Sequence, residues 1–97
     1  MKYRSRTDIV ALILEATKEG AAKTKIMYKA FLSYSQLKDY LSILLERELI
    51  EYSDKDQIFR ITDKGRRYLY LYSKVMELIT PSGDQDLENQ IKYNNLL

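Results

Sequence analysis

The stretch KAFLSYSQLKDY (Lys29–Tyr40) is too polar at its centre for a buried segment and too regular for a loop. Ser33 is followed three residues later by Gln36, which is the spacing of a capping box at the start of a helix. This pattern predicts an amphipathic helix from about Tyr34 to Arg47, the third helix of the chain. Its apolar side chains recur every three or four residues, at Leu37, Tyr40, Leu41, Leu44 and Leu45.

Two helices are predicted before this stretch. TDIVALILEATKEG (Thr7–Gly20) has apolar residues at helical spacing and ends in a glycine, which predicts helix one. AAKTKIMYKA (Ala21–Ala30) is long enough for a short helix two, with Thr24 as its N-cap. Between helices two and three, Phe31 and Leu32 are expected to bury the turn.

The spacing of the apolar residues changes after helix three. Residues 49–53 and 57–61 are rich in β-branched and aromatic side chains and flank the segment DKDQ. They predict a β-hairpin, or wing, with Lys55 near its tip. Thr62 is then expected to cap a longer helix, DKGRRYLYLYSKVMELI.

The long helix carries two apolar series side by side, and one series is enough for the core of its own domain. The second is expected to pack against another chain in coiled-coil fashion. A chain of 97 residues is also near the size at which oligomerisation often adds stability. The residues expected at the dimer interface are Tyr68, Leu69, Leu71, Tyr72, Val75, Met76 and Ile79.

The order helix, short helix, capped helix, hairpin, long helix is that of the winged helix-turn-helix, a mainly α fold with a small β-hairpin. It predicts a winged-helix domain over residues 1–80, which includes the long last helix as a dimerisation helix. Residues 81–97 are expected to form a linker and a polar C-terminal tail, because TPSGDQD has the composition of a linker. For the final LENQIKYNNLL, a short helix and disorder are equally open.

Cysteine and histidine are both absent from the sequence. Their absence excludes disulfides, thiol nucleophiles, Cys/His zinc sites and histidine acid–base chemistry. The sequence also has no glycine-rich phosphate loop and no nucleophile elbow, so no enzymatic activity, metal or cofactor is expected. No apolar run approaches the roughly 18–20 residues of a membrane span, and the protein is expected to be cytoplasmic.

Positive charge concentrates in the predicted domain. Residues 1–80 carry 15 Lys and Arg against 11 Asp and Glu, whereas residues 81–97 carry one against three. Basic clusters suit a phosphate backbone, and helix three of this fold lies in the major groove of double-stranded DNA. Ordinary solvated lysines are the competing explanation of the pattern. The side chains expected to contact DNA are Ser33, Tyr34, Ser35, Gln36, Lys38, Lys23, Thr24, Lys25, Lys29, Arg4, Arg6, Lys55 and Arg60, with Tyr34 also half turned toward the core.

Three segments carry a resemblance to a known family: RSRTDIVALILEA (Arg4–Ala16), KTKIMYKAFLSYSQLKDYLSILLE (Lys23–Glu46) and FRITDKGRRYL (Phe59–Leu69). In these segments the sequence resembles small archaeal winged-helix proteins regarded as transcriptional regulators, to which some dimeric chromosomal DNA-binding proteins are related. The resemblance implies a nucleoid-associated, DNA-binding homodimer whose long last helix pairs between protomers. It also implies Asn in relatives where Phe31 stands here, and Gly where Glu48 stands.

A second function remains open from the same residues, namely a winged helix used as a protein–protein interaction module without DNA binding. Asp39 and Glu46 lie on the exposed face predicted for helix three, and Asp54 and Asp56 flank Lys55 on the wing. Carboxylates at these positions repel phosphates. They therefore favour a protein partner over DNA.

Overall fold

The predicted order of helices and strands is the order found in the structure, a computed structural model that describes residues 4–79. The winged helix-turn-helix fold is confirmed, and the predicted bounds of the third helix, the hairpin and the long helix are correct to within one residue. The predicted linker and tail, residues 81–97, lie outside the described residues. The elements are α1 (Arg6–Ala16), α2 (Lys23–Ala30), α3 (Tyr34–Glu46), β1 (Ile50–Ser53), β2 (Ile58–Ile61) and α4 (Asp63–Ile79).

Side-chain caps fix where α1, α3 and α4 begin. At α3, Ser33 Oγ accepts the Gln36 N–H at 3.2 Å, and Gln36 Oε1 accepts the Ser33 N–H at 3.0 Å, as the capping box predicts. Ser5 and Asp8 form the same reciprocal pair at α1. At α4, Thr62 Oγ1 accepts the Gly65 N–H at 3.1 Å. These caps bind N–H groups that otherwise have no partner within the helix.

The prediction of Thr24 as the N-cap of α2 is wrong. The helix begins at Lys23, and its N-cap is Ala22, whose backbone is extended. Just before it, the Ala21 N–H donates to the Phe59 carbonyl at 2.9 Å and the Phe59 N–H donates to the Ala21 carbonyl at 2.8 Å. Because this bridge to β2 fixes the chain at Ala21, the helix starts at once and Thr24 occupies its second position.

Helix α1 ends at Ala16 and not at Gly20, where the sequence predicted its stop. Thr17, which follows the helix, is fully buried, and its hydroxyl donates to the Leu14 carbonyl at 2.9 Å. Its own carbonyl accepts the Ile61 N–H at 3.1 Å, so Thr17 ties the end of α1 to β2. Gly20 lies in the turn beyond, with φ at 87°, a conformation that glycine adopts without steric penalty.

The hairpin and the inner faces of the helices enclose one core. Strands β1 and β2 are antiparallel, and Ile50 pairs with Ile61. Because α3 turns Leu37, Leu41 and Leu44 inward, its opposite face is left to solvent, and Leu45 of the predicted apolar series is 38% exposed. The largest fully buried apolar side chains are Ile13, Leu14, Ile26, Leu37, Leu44 and Ile50.

The turn between α2 and α3 differs from the prediction at one residue. Leu32 is buried as expected, but Phe31 is 79% exposed, so the expectation that both residues bury the turn is wrong for Phe31. Phe31 ends α2 in the left-handed conformation, with φ at 55° and ψ at 49°. Glu48 also has a positive φ, 61°. These are the two positions where the resemblance implied Asn and Gly, the residue types that adopt this conformation most readily.

Gly65 sets how closely α4 approaches the wing. A Cβ at this position would lie 2.3 Å from the Leu49 carbonyl oxygen and 2.6 Å from Cγ1 of Ile61. Both distances are too short for any side chain, so α4 can leave the hairpin at this angle because residue 65 is glycine.

Candidate nucleic-acid interface

The start of α3 presents polar side chains to solvent, and Ser35, Gln36, Lys38 and Asp39 are all exposed. Gln36 already uses its Oε1 to accept the Ser33 N–H. A bidentate contact to adenine uses both ends of the amide, so Oε1 has to accept from the base with its second lone pair while it holds the Ser33 N–H. Ser35 and Lys38 can contact DNA without breaking a cap.

Helix α2 places a basic surface beside the start of α3. Lys23, Thr24, Lys25 and Lys29, which were predicted to contact DNA, are exposed. Residues 20–38 include four lysines and neither Asp nor Glu. This stretch therefore has a positive potential that suits a polyanion.

Tyr34 was expected to face half toward the core, and it lies at the edge of α2 and α3 outside the buried core. Its side chain is 56% exposed. The Lys23 ammonium lies 5.5 Å from the centroid of its ring, within the range of a cation–π contact. The ring thus belongs to the basic surface of α2 and not to the core.

The N-terminal arginines lie in two different places. Arg6 is exposed and is the first residue of α1, which begins one residue before the segment Thr7–Gly20 from which the helix was predicted. The Arg4 guanidinium donates to the Ala30 and Phe31 carbonyls and lies 5.9 Å from the Phe31 ring centroid. A cation at these carbonyls is favourable because the C-terminal end of a helix carries partial negative charge. Arg4 therefore fastens the end of α2 and is not a free arm.

The two basic residues of the wing also differ in position. Lys55 lies in the exposed turn between the strands, near the tip as predicted. Arg60 is on β2, and its Nη1 donates to the Glu19 carbonyl at 3.4 Å, back toward the chain between α1 and α2. The tip itself carries Asp54 and Asp56 beside Lys55. Its local charge is negative, which weakens the wing as a phosphate contact.

Helix α4 is fastened to the start of α1 by two tyrosines. The Tyr68 hydroxyl donates to the Thr7 carbonyl at 2.8 Å, and the Tyr72 hydroxyl donates to Asp8 Oδ1 at 2.5 Å. The hydrogen bond from Tyr72, together with those from Ser5, holds the pKa of Asp8 below its usual value. The same bond raises the pKa of Tyr72 to about 12. Burial, and then the charge of Asp8, raise the pKa of Tyr68.

Beside these tyrosines, α4 exposes a stripe of apolar side chains. Leu71, Val75 and Ile79 are 55%, 52% and 69% exposed. A shallow groove of about 300 Å³ runs along the stripe. Of the side chains predicted at a dimer interface, Tyr68 and Leu69 pack against the core of their own domain. The groove is lined by Thr7, Tyr68, Leu71, Tyr72, Val75 and Met76.

Two exposed aromatic residues, one on α2 and one in the turn after it, were not among the side chains predicted to contact DNA. Tyr28, on α2, is 84% exposed, and Phe31 is 79% exposed. The sequence carried a signal for Tyr28, because Ile26 and Ala30 define the buried face of α2 and Tyr28 lies on the opposite side. For Phe31 the signal was the position itself, where the resemblance implied Asn.

The sequence model of the winged helix-turn-helix family matches residues 3–80, and the chain belongs to that family. Among its relatives is the uncharacterized protein MJ0290 of Methanocaldococcus jannaschii, 35% identical over 79 residues. The match covers 80% of this chain and 36% of MJ0290, so the chain spans about a third of that relative's length.

Two solved structures share the fold. One is Sso10a-2, a DNA-binding protein from Sulfolobus solfataricus, with a TM-score of 0.72, 21% identity and 97% of each chain covered. The other is the transcriptional repressor CouR bound to p-coumaroyl-CoA, with a TM-score of 0.58 and 19% identity. That match covers 96% of this chain and 72% of CouR. At these identities the likeness concerns the fold.

Two further observations concern residues 4–79. None of the helices in this range is both long and apolar enough to cross a membrane. Nor does this range bring together three Asp or Glu side chains as a possible metal site.

Proposed function

We propose that the protein is a DNA-binding transcriptional regulator or chromosomal protein that acts as a homodimer in the cytoplasm, associated with the nucleoid. The observation that carries the proposal is the acid-free, four-lysine stretch that spans α2 and the exposed start of α3. The fold supports it, since Sso10a-2 is a DNA-binding protein and CouR a transcriptional repressor. We propose no catalytic, metal or cofactor role, since the chain has neither Cys nor His.

In the proposed complex, α3 lies in the major groove of double-stranded DNA. Ser35 and Lys38 are then nearest to base edges, where Ser bonds either donors or acceptors and Lys favours guanine. Lys23, Lys25 and Lys29 contact the phosphates, which fixes the orientation of α3 without adding sequence preference. Because Lys23 lies beside the Tyr34 ring, a contact between Lys23 and a phosphate also places Tyr34 near the DNA backbone.

The homodimer is proposed from the apolar stripe of α4. Leu71, Val75 and Ile79 recur at four-residue spacing and stay exposed in a single chain. A second α4 packed along the groove removes these side chains from water in coiled-coil fashion. Two symmetric α3 helices then meet half-sites about one DNA turn apart, roughly 34–36 Å.

The experiment that tests this function is selection of bound duplexes from a random pool, followed by anisotropy titration of the recovered sequence. We expect recovered duplexes with two half-sites one turn apart. Lys38→Ala should lower affinity for them, whereas Lys74→Ala should not, because Lys74 is on α4 and pairs with Glu77 at 3.7 Å. Failure to recover any duplex at low ionic strength contradicts the proposal.

The alternative function is a protein–protein module that does not bind DNA. The observation that favours it is exposed Asp39 and Glu46 on α3, together with Asp54 and Asp56 at the wing tip. A partner captured at high salt, with capture lost in Asp39→Asn and no duplex binding at low salt, supports this alternative. Duplex binding that weakens steeply with salt rejects it.

A further inference from the structure

Three aromatic side chains are exposed across α2 and the turn into α3. Tyr28, Phe31 and Tyr34 are 84%, 79% and 56% exposed, and they follow one another at three-residue spacing. A single exposed aromatic residue needs no explanation, but three of them within seven consecutive residues point to a binding site. We call these three, with Arg4 and Lys23, the aromatic–basic surface.

Burial within the single chain does not account for an aromatic residue at position 31. Its backbone is left-handed, with φ at 55°, a conformation that is unfavourable for a bulky side chain and readily adopted by Gly or Asn. Its ring is 79% exposed, so burial offsets little of that strain. Strain held at an exposed position is a feature of binding sites, where the displayed side chain contributes to recognition.

Positive charges accompany the rings. The Arg4 guanidinium lies 5.9 Å from the Phe31 ring centroid, and the Lys23 ammonium lies 5.5 Å from that of Tyr34. Lys25 and Lys29 are exposed on the same helix, and no acid occurs in residues 20–38. The surface therefore complements an anionic polymer that also presents flat apolar faces, and a nucleic acid with unpaired bases has both properties.

We propose that the aromatic–basic surface binds single-stranded DNA, with unpaired bases stacked on Phe31 and Tyr34 and phosphates held by Lys23 and the other lysines of α2. In an intact duplex both faces of each base are covered by its neighbours, so the rings gain stacking partners where strands are unpaired. The inference deepens the proposed function, on which it rests, by naming the form of DNA that this part of the surface takes.

The experiment is an anisotropy titration of a labelled thymidine 20-mer and of a fully paired duplex at one fixed salt concentration. Two tyrosines provide a matched pair, because Tyr34 and Tyr70 are both exposed and each has a lysine 5.5 Å from its ring. We expect Tyr34→Ala to weaken single-strand binding by about tenfold, the order of one lost stack, and Tyr70→Ala to leave it unchanged. Duplex binding should be unchanged in Tyr70→Ala, and in Tyr34→Ala it should fall by a smaller factor than single-strand binding.

A second variant separates binding from folding. Phe31→Asn keeps the left-handed turn and removes the ring, so its melting temperature should rise by about 4–8 °C while single-strand affinity falls about tenfold. A loss of affinity in a more stable protein cannot come from unfolding.

Three results overturn the inference, and they have different consequences for the proposed function. Unchanged single-strand affinity in Tyr34→Ala and Phe31→Asn, with duplex binding intact, rejects the aromatic–basic surface and leaves the proposed function standing. Binding of neither DNA by the wild-type protein rejects both. Self-association without DNA that Phe31→Asn abolishes assigns the surface to a second copy of the chain.

Discussion

Helix α4 and the helix-turn-helix both expose apolar side chains, but the charge around them differs. On α4, Leu71 and Val75 border a groove whose lining residues include no Lys, Arg, Asp or Glu. On α2 and its turn, Tyr28 and Phe31 stand in a stretch of lysines that has no acid. The first surface suits a copy of itself, whereas the second suits a polyanion. Exposure of apolar area marks an interface, and the neighbouring charges indicate the kind of partner.

The largest effect that we predict is on the α4 surface. Leu71→Glu with Val75→Glu places like charges within the stripe, so the mass measured by light scattering should fall from dimer to monomer. Affinity for a two-half-site duplex should fall about 100-fold, because bivalent binding is lost. Ser73→Glu adds a charge outside the groove and should leave the mass unchanged. A monomeric wild-type protein at high concentration contradicts the assignment of α4 to the dimer.

The second prediction concerns Gly65, where α4 leaves the wing. Gly65→Ala gains about 1 kcal/mol in helix propensity. The new Cβ, however, would lie 2.3 Å from the backbone oxygen of Leu49, and overpacking of this kind costs about 1–3 kcal/mol. Because backbone yields less readily than a side chain, the clash should exceed the gain. Denaturant unfolding should show a net loss in Gly65→Ala and almost none in Ser73→Ala, whereas a stabilised Gly65→Ala contradicts the close approach.

The smallest effect concerns the bond between Tyr72 and Asp8, which fastens α4 to α1. The pKa of Asp8 in the folded protein is lowered from 3.8. The stability that the bond contributes is therefore present above pH 3.8 and is lost as the pH falls through the folded pKa. The pKa of Tyr72 is raised from 10.0 to about 12, so the contribution is also present below pH 10 and is lost as pH rises through 12.

Tyr72→Phe removes this bond and leaves the ring. Its melting temperature should lie slightly below that of the wild-type protein at neutral pH, and the difference should shrink at both extremes. Carboxyl NMR titration should show the pKa of Asp8 moving up toward 3.8 in this variant. An Asp8 pKa that does not move contradicts the bond. Tyr70→Phe, on the same helix, is the control.

The parts of the fold that were predictable depend on neighbours in sequence. The capping box at Ser33 and the leucine period of α3 are local signals, and so is the cap at Thr62. The misplaced N-cap at Thr24 and the early end of α1 depend on distant partners, namely the bridge from Ala21 to β2 and the carbonyl of Thr17. Such contacts join residues about 40 positions apart, and no local pattern encodes them.

The candidate site also has features that the local sequence predicts and features that depend on distant contacts. The exposure of Lys25 and Lys38 follows from helical periodicity and was predictable. The contacts of Arg4 with the Ala30 and Phe31 carbonyls were not, because they depend on how α1 crosses the end of α2. Phe31 was expected to bury the turn together with Leu32, but the left-handed turn leaves its ring exposed.

The central claim is that α2 and α3 form a phosphate-binding surface, and the salt dependence of duplex affinity tests it most directly. Each phosphate contact adds about 0.9 to the slope of log affinity against log salt concentration. Lys25→Ala with Lys29→Ala should therefore reduce the slope by about 1.8 and leave sequence preference intact. Lys74→Ala should change neither. A slope that is the same in wild-type and Lys25→Ala/Lys29→Ala proteins would contradict the claim.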